Sequence, residues 1–250
     1  TAHIYNLAAG GKYFFLSCSR RFGKRMLLSI LEAYFHGKKH LFKGLAIEAM
    51  ETEWLEYPVF HLDFTGESYT SEETVLSVIN QFLTSQEAIF GKEESETTMG
   101  LRFNGVVTRA FKQTGRKAVI LIDEYDKPLT DTIGQPELQE KIRSILQGLY
   151  GIIKKADRYI RFAFLTGVTR YGKLGIFSAA NNPRDISMSD DYASICGITE
   201  EELRSYFDAE VEIFAKKQHV DKGAMYEMMK QKYDGYHFSS NSEDIYNQLN

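Results

Sequence analysis

The chain has 250 residues, a formal net charge of −4, 43% hydrophobic and 26% charged residues, proportions ordinary for a soluble globular protein. That charge excludes a bulk attraction to nucleic acid or acidic membranes, so an anion site has to be a local basic cluster. Two cysteines without CxxC spacing, Cys18 and Cys196, argue against a disulfide scaffold or a zinc site and for a reducing, cytoplasmic setting. No apolar run approaches the roughly 18 residues of a membrane span. The chain does not begin with Met and reads as a piece of a longer polypeptide. Its length suits one large domain, or a core with a small satellite.

The first expected element is a buried strand at Tyr13–Leu16, a short apolar run rich in aromatic residues. A basic loop follows. Then Met26, Leu27, Ile30, Leu31, Tyr34 and Phe35 recur at helical spacing, and Gly37 ends that helix. Pro58–Phe64 reads as a second strand. Thr70 with Glu73 makes a capping box before the helical pattern Val75, Leu76, Ile79, Phe82, Leu83. The polar stretch from Gly91 to Gly100 is the expected mobile loop. A further helix runs to about Gln113 and stops at Gly115, and Val119–Ile122 is an apolar strand tipped by two acids. Pro136 opens a long helix to about Lys155, and Tyr159–Leu165 is the next strand, ending in Thr166-Gly167-Val168-Thr169. Strands alternate with helices, the pattern of an α/β fold with a mostly parallel sheet covered on both faces.

From about residue 198 the pattern changes. Thr199 with Glu202 makes a second capping box, two helical segments follow, and the tail Tyr233-Asp234-Gly235-Tyr236-His237-Phe238 is a glycine turn crowded with aromatics, read as packing. The expected organisation is a core over 1–197 and a small helical subdomain over 198–250.

Two segments carry chemistry. The first is the loop Ser17-Cys18-Ser19-Arg20-Arg21-Phe22-Gly23-Lys24-Arg25, between the first strand and its helix. Phosphate loops work by backbone N–H groups pointing inward at a helix N-terminus, with glycine allowing close approach. Gly23 and Lys24 fit the pattern G-x-x-x-x-G-K-[ST], whereas Cys18 stands where the first glycine belongs and Arg25 where the magnesium-binding hydroxyl belongs. Arg20, Arg21, Lys24 and Arg25 crowd a helix start whose dipole opposes cations by about 0.3–1 kcal/mol each, a cost that a bound anion would offset. The alternative is a solvated helix start with surface arginines. The second segment is Asp123-Glu124, released at the end of four branched apolar residues, where open α/β sheets place ligand chemistry. Asp123 would hold magnesium and Glu124 would polarise a water. The alternative is an ordinary charged turn running on through Asp126, Lys127 and Pro128.

Thr166 either senses a γ-phosphate or bonds its own loop. Arg170 and Lys173 could offer a charge to a nucleotide. The six histidines show no metal-ligand set: His36 and His40 stand at i, i+4, but with Gly37 between them and no third ligand. Loop and acids together, in this order, point to a P-loop nucleoside triphosphatase core.

These residues also resemble the bacterial AAA-ATPase-like family, which often precedes a PD-(D/E)XK nuclease-like domain. The matching stretches are Tyr13–Ser17, Arg20–Lys24, Leu121-Ile122-Asp123-Glu124-Tyr125-Asp126-Lys127-Pro128-Leu129, Phe164–Thr169, Ile176–Ser178 with Asn181-Asn182, Asp185–Met188, Cys196–Leu203 and Tyr233–Tyr236. The resemblance implies a P-loop three-layer sandwich that inserts a strand between the lysine-loop strand and the acid strand, a helical lid after the core, and a second, nuclease-like domain that this chain lacks. The family's loop reads Arg-Pro-Arg-Arg-Phe-Gly-Lys-Ser, and this chain departs from it at Cys18, Ser19 and Arg25. Losing the hydroxyl removes a magnesium ligand, and two like charges about 4 Å apart repel by about 4 kcal/mol at an effective dielectric of about 20, an upper bound for an arginine that can swing out to solvent.

The function expected is therefore an ATP-binding, magnesium-dependent module with a degenerate loop and weak or absent hydrolysis. Arg20, Arg21, Phe22, Gly23, Lys24 and Arg25 would form the nucleotide cradle, Asp123 would hold the metal, and Glu124 and Thr166 would serve the reaction. The alternative is a non-catalytic scaffold that keeps the fold. No membrane partner is expected. Nucleic acid, a homo-oligomer, base preference and the source of any arginine finger stay open.

Overall fold

The computed structural model describes residues 1–169, 183–233 and 245–246. The chain forms two compact units, Thr1–Ser17 with Leu28–Arg184, and Cys18–Leu27 with Asp185–Asn250.

The first unit is built on a sheet. Aromatic-rich β1 (Tyr13–Ser17) follows a short helix α1 (Ala2–Gly10), and α2 (Lys24–Phe35) and α3 (Ala46–Met50) come next. Then follow β2 (Val59–Asp63), α4 (Glu72–Phe90), α5 (Met99–Thr114), β3 (Ala118–Asp123), α6 (Lys127–Thr130), α7 (Pro136–Lys155), β4 (Ile160–Gly167) and β5 (Arg184–Asp185). The strand order is β2-β3-β4-β1-β5, and the pairs β2–β3, β3–β4 and β1–β4 are parallel. A strand therefore does lie between the loop strand β1 and the acid strand β3. All six residues of β3 are buried, because helices cover both sheet faces.

On one face Phe15, Phe60, Leu62, Ile120, Ile122 and Leu165 pack with the apolar stripes of α4, α5 and α7. The stripe on α7, Ile142, Leu146, Leu149, Tyr150 and Ile153, follows helical spacing. On the other face Phe162 contacts Phe14 and Phe35, with ring centroids 5.7 and 4.9 Å apart. Trp54 lies in a satellite aromatic group, 5.1 Å from Phe42 and 5.9 Å from Tyr34 between ring centroids.

Several local expectations shift. Ser71, not Thr70, caps α4: its backbone is extended and its hydroxyl accepts from the Thr74 amide at 3.4 Å. The polar segment expected to be mobile is stitched to α5, since Arg109 donates to both oxygens of the buried Glu96 and to the Gly91 carbonyl. A second pair joins α4 to α5, with Arg102 donating to both oxygens of buried Glu87 at 2.6 and 2.8 Å. These hydrogen bonds hold both carboxyls below the usual range against the opposing effect of burial.

The second unit joins the loop Cys18–Leu27 to the C-terminal part of the chain. A two-stranded antiparallel ladder pairs β6 (Ile198–Thr199) with β7 (Ile245–Tyr246). The capping box of Thr199 and Glu202 opens α8 (Glu200–Tyr206), as expected. Two more helices follow, α9 (Asp208–Gln218) and α10 (Lys222–Tyr233), so the described residues of this region hold three helices where two were expected. Leu203, Val211, Ala215, Met225, Tyr226 and Tyr246 form their own small core. Among the described residues no helix is long and apolar enough to cross a membrane. Arg170, Lys173, Ile176–Ser178, Asn181-Asn182 and Asp234–Phe238 lie outside the described residues.

Candidate functional site

Three of the expected site residues meet at the carboxyl edge of the sheet in the first unit. Parallel pairing puts the ends of β3 and β4 side by side, with Ile122 in register with Leu165. The Thr166 hydroxyl, fully buried, donates to Asp123 Oδ1 at 2.5 Å and accepts from the Glu124 amide at 3.3 Å. Asp123 is itself 2% exposed. Thr166 therefore bonds across to the acid strand, which neither sequence reading of it anticipated. The Tyr125 amide adds a bond to the Thr166 carbonyl at 2.9 Å. Glu124 has φ 47°, in the left-handed region that a glutamate seldom occupies, and such strain persists only where its surroundings hold it.

Sequence reasoning missed Asp126, which it read as part of a charged turn. Asp126 is 1% exposed, and its carboxylate accepts from the amides of Val168 and Thr169, the latter at 2.5 Å. The buried Tyr125 reaches the same segment, its hydroxyl donating to the Thr169 carbonyl at 3.1 Å, and its ring meets Phe15 edge-on. The available signal was the aromatic residue between two acids: a tyrosine with no surface to lie on takes its neighbours inward. Asp126 thus fixes the exit of β4, while Asp123 offers carboxylate oxygen of the kind a hard divalent cation prefers.

The loop residues Arg20, Arg21, Phe22, Gly23, Lys24 and Arg25 share the second unit. Within the first unit Ser17, the last residue of β1, is in register with Gly167 of β4. Arg21 and Gly23 both have positive φ, 70° and 82°. Alternation of left- and right-handed residues is what turns successive amides toward one concave side. Lys24 is 6% exposed, and its ammonium donates to the carbonyls of Cys18 at 2.7 Å and Ser19 at 3.1 Å. The lysine therefore sits inside the turn of its own loop. Arg20, Arg21 and Arg25 are exposed. The exposure of Arg25 relaxes the like-charge repulsion that its position suggested. The first turn of α2 contains no acidic residue to balance the dipole and the cations.

Phe22 is fully buried, and its carbonyl accepts from the Gly197 amide at 2.9 Å. The two cysteines, both buried and neither in a disulfide, also meet here. A hydrogen bond to Cys18, together with burial, pushes the Cys196 thiol well above its ordinary value, and the Lys24 charge pulls the other way.

Residues 1–177 match a family model described as a predicted AAA-ATPase. A protein of Azotobacter chroococcum mcd 1, described as an uncharacterized protein in the vnfD 5'region, is 32% identical over 247 residues, which cover 99% of this chain and 46% of that protein. The chain thus spans about half the length of that curated relative. No solved structure matches.

Proposed function

The chain belongs to the predicted AAA-ATPase family, and from that membership we propose that it binds ATP with magnesium and hydrolyses it weakly or not at all. The observation that carries this reading is Lys24: a desolvated ammonium held by the neutral carbonyls of Cys18 and Ser19 gains by exchanging them for phosphate oxygens. Lys24 and the amides around Gly23 would hold the β- and γ-phosphates, and Asp123 would hold the metal. A magnesium ion held there would supply positive charge to offset that of the phosphates. Glu124 would orient the attacking water, and Thr166 would act through Asp123, keeping one carboxylate oxygen fixed. The residues suit ATP throughout and magnesium in part, because Arg25 replaces a hydroxyl ligand. That replacement supports weak turnover. In this reading the helices after residue 198 would form the lid, and the relative of about twice this length has room for a further domain.

Titration of the folded protein with a fluorescent ATP analogue, with and without magnesium, tests the reading. Saturable binding strengthened by magnesium is expected. A folded sample that binds under neither condition overturns it. A scaffold that keeps only the fold is the second reading, favoured by Arg25 in place of the metal-binding hydroxyl.

A further inference from the structure

The contact between Phe22 and Gly197 links positions 175 residues apart in the chain, inside the second unit. Its effect on the loop follows from peptide geometry. A trans peptide is planar, so the carbonyl of one residue and the amide of the next point in opposite directions. The chain has no cis peptide among the described residues. With the Phe22 carbonyl directed at the Gly197 amide, the Gly23 N–H is turned the other way. Gly23 is the residue just before helix α2, where orphan amides serve anions.

Only glycine fits at 197. Its φ is 84°, and a Cβ there would stand 2.2 Å from Ile245 Cγ2, 3.0 Å from the Tyr246 carbonyl oxygen and 3.3 Å from the Phe22 ring. We propose that Gly197 is a positioning residue for the phosphate loop, setting the Phe22–Gly23 peptide so that the Gly23 amide faces the anion. The proposal rests on the nucleotide-binding reading and adds that the loop's geometry is held from the C-terminal part of the chain.

The test compares wild type, Gly197→Ala and Leu203→Ala, the last removing a core side chain of the same unit away from the loop. Peptide-resolved hydrogen exchange without nucleotide is the first measurement. Gly197→Ala should speed exchange over residues 18–27 at least tenfold, and Leu203→Ala should leave those amides near wild type. Equal acceleration in both variants, or none in Gly197→Ala, overturns the proposal whether or not ATP binds. The second measurement is ATP affinity: Gly197→Ala should weaken it about tenfold, equivalent to about 1.4 kcal/mol, and Leu203→Ala should change it less than about twofold. A wild type that binds no ATP ends the parent reading and is told apart from the first result. If Gly197→Ala does not fold, exchange at the Gly197 amide of wild type decides: saturating magnesium-ATP should slow it, and an unchanged rate beside proven binding overturns the proposal.

Discussion

The carboxylate edge and the basic loop serve one proposed purpose by different means. At the carboxylate edge, neighbours in a parallel sheet supply every contact described: Thr166 to Asp123, Tyr125 to Thr166 and Thr169, and Val168 and Thr169 to Asp126. The basic loop has two positive-φ residues, a lysine turned onto its own carbonyls, and an anchor from Gly197. One region is rigid because strand pairing and burial over-determine it. The other depends on a partner far along the chain. Under the proposed function, chemistry that needs fixed oxygens would sit on the first, and recognition that needs exchangeable hydrogen bonds on the second.

The largest effect expected from breaking this contrast is at Asp126. Asp126→Ala removes a charged acceptor from two amides, a loss of about 3–5 kcal/mol of stability measured by denaturant unfolding. A loss under about 1 kcal/mol would mean that the edge is not held as described.

Lys24→Ala should do the reverse. Stability should fall by only about 1 kcal/mol, whereas ATP affinity should fall about 100-fold, or about 2.7 kcal/mol, by titration. Under the scaffold reading, partner binding survives this substitution.

Acid sharpens the comparison at the level of the units. Arg102 and Arg109 lower the Glu87 and Glu96 carboxyls in the first unit, so the folded state holds fewer protons than the unfolded chain. Their contribution is complete above the unfolded value of about 4.3 and is lost as pH falls through the lower folded values. The second unit's pairs, Arg204–Glu200, Lys222–Asp208 and Lys216–Glu212, have mostly exposed cations and contribute little. Hydrogen exchange should show the first unit losing more protection than the second between neutral pH and a pH of about 3. Equal losses would erase the distinction.

The smallest effect is at Arg25. Arg25→Ser restores a hydroxyl and should raise magnesium-dependent turnover about tenfold, or about 1.4 kcal/mol in the barrier, with binding unchanged. Turnover that stays at background would move the blame for weak hydrolysis elsewhere.

The sheet was legible from sequence because its signals are local and redundant. Ala118–Ile122 is apolar throughout, and alternating helical periods force parallel connections. Asp123, Glu124 and Lys24 stood out as candidates from their places at a strand end and a helix start, though neither segment carried the reading alone. Asp126 was not, because a charged residue in a turn looks the same whether its acceptors face water or the amides of another strand. Gly197 was hidden for a related reason: a glycine before a capping box reads as a connector, and its partner Phe22 lies too far away for any local pattern to find. The cap at Ser71 was off by one, since adjacent hydroxyls offer the same chemistry and only backbone dihedrals decide between them.

Trp54 is the only tryptophan of the chain and belongs to the first unit, against Phe42 and Tyr34. Its emission is therefore a built-in optical label for the sheet-bearing unit alone. Circular dichroism, by contrast, sums helices from both. Superimposable melting curves from the two signals would demonstrate a single cooperative block, and staggered curves would show that the basic loop can melt with its C-terminal partners while the sheet stays folded.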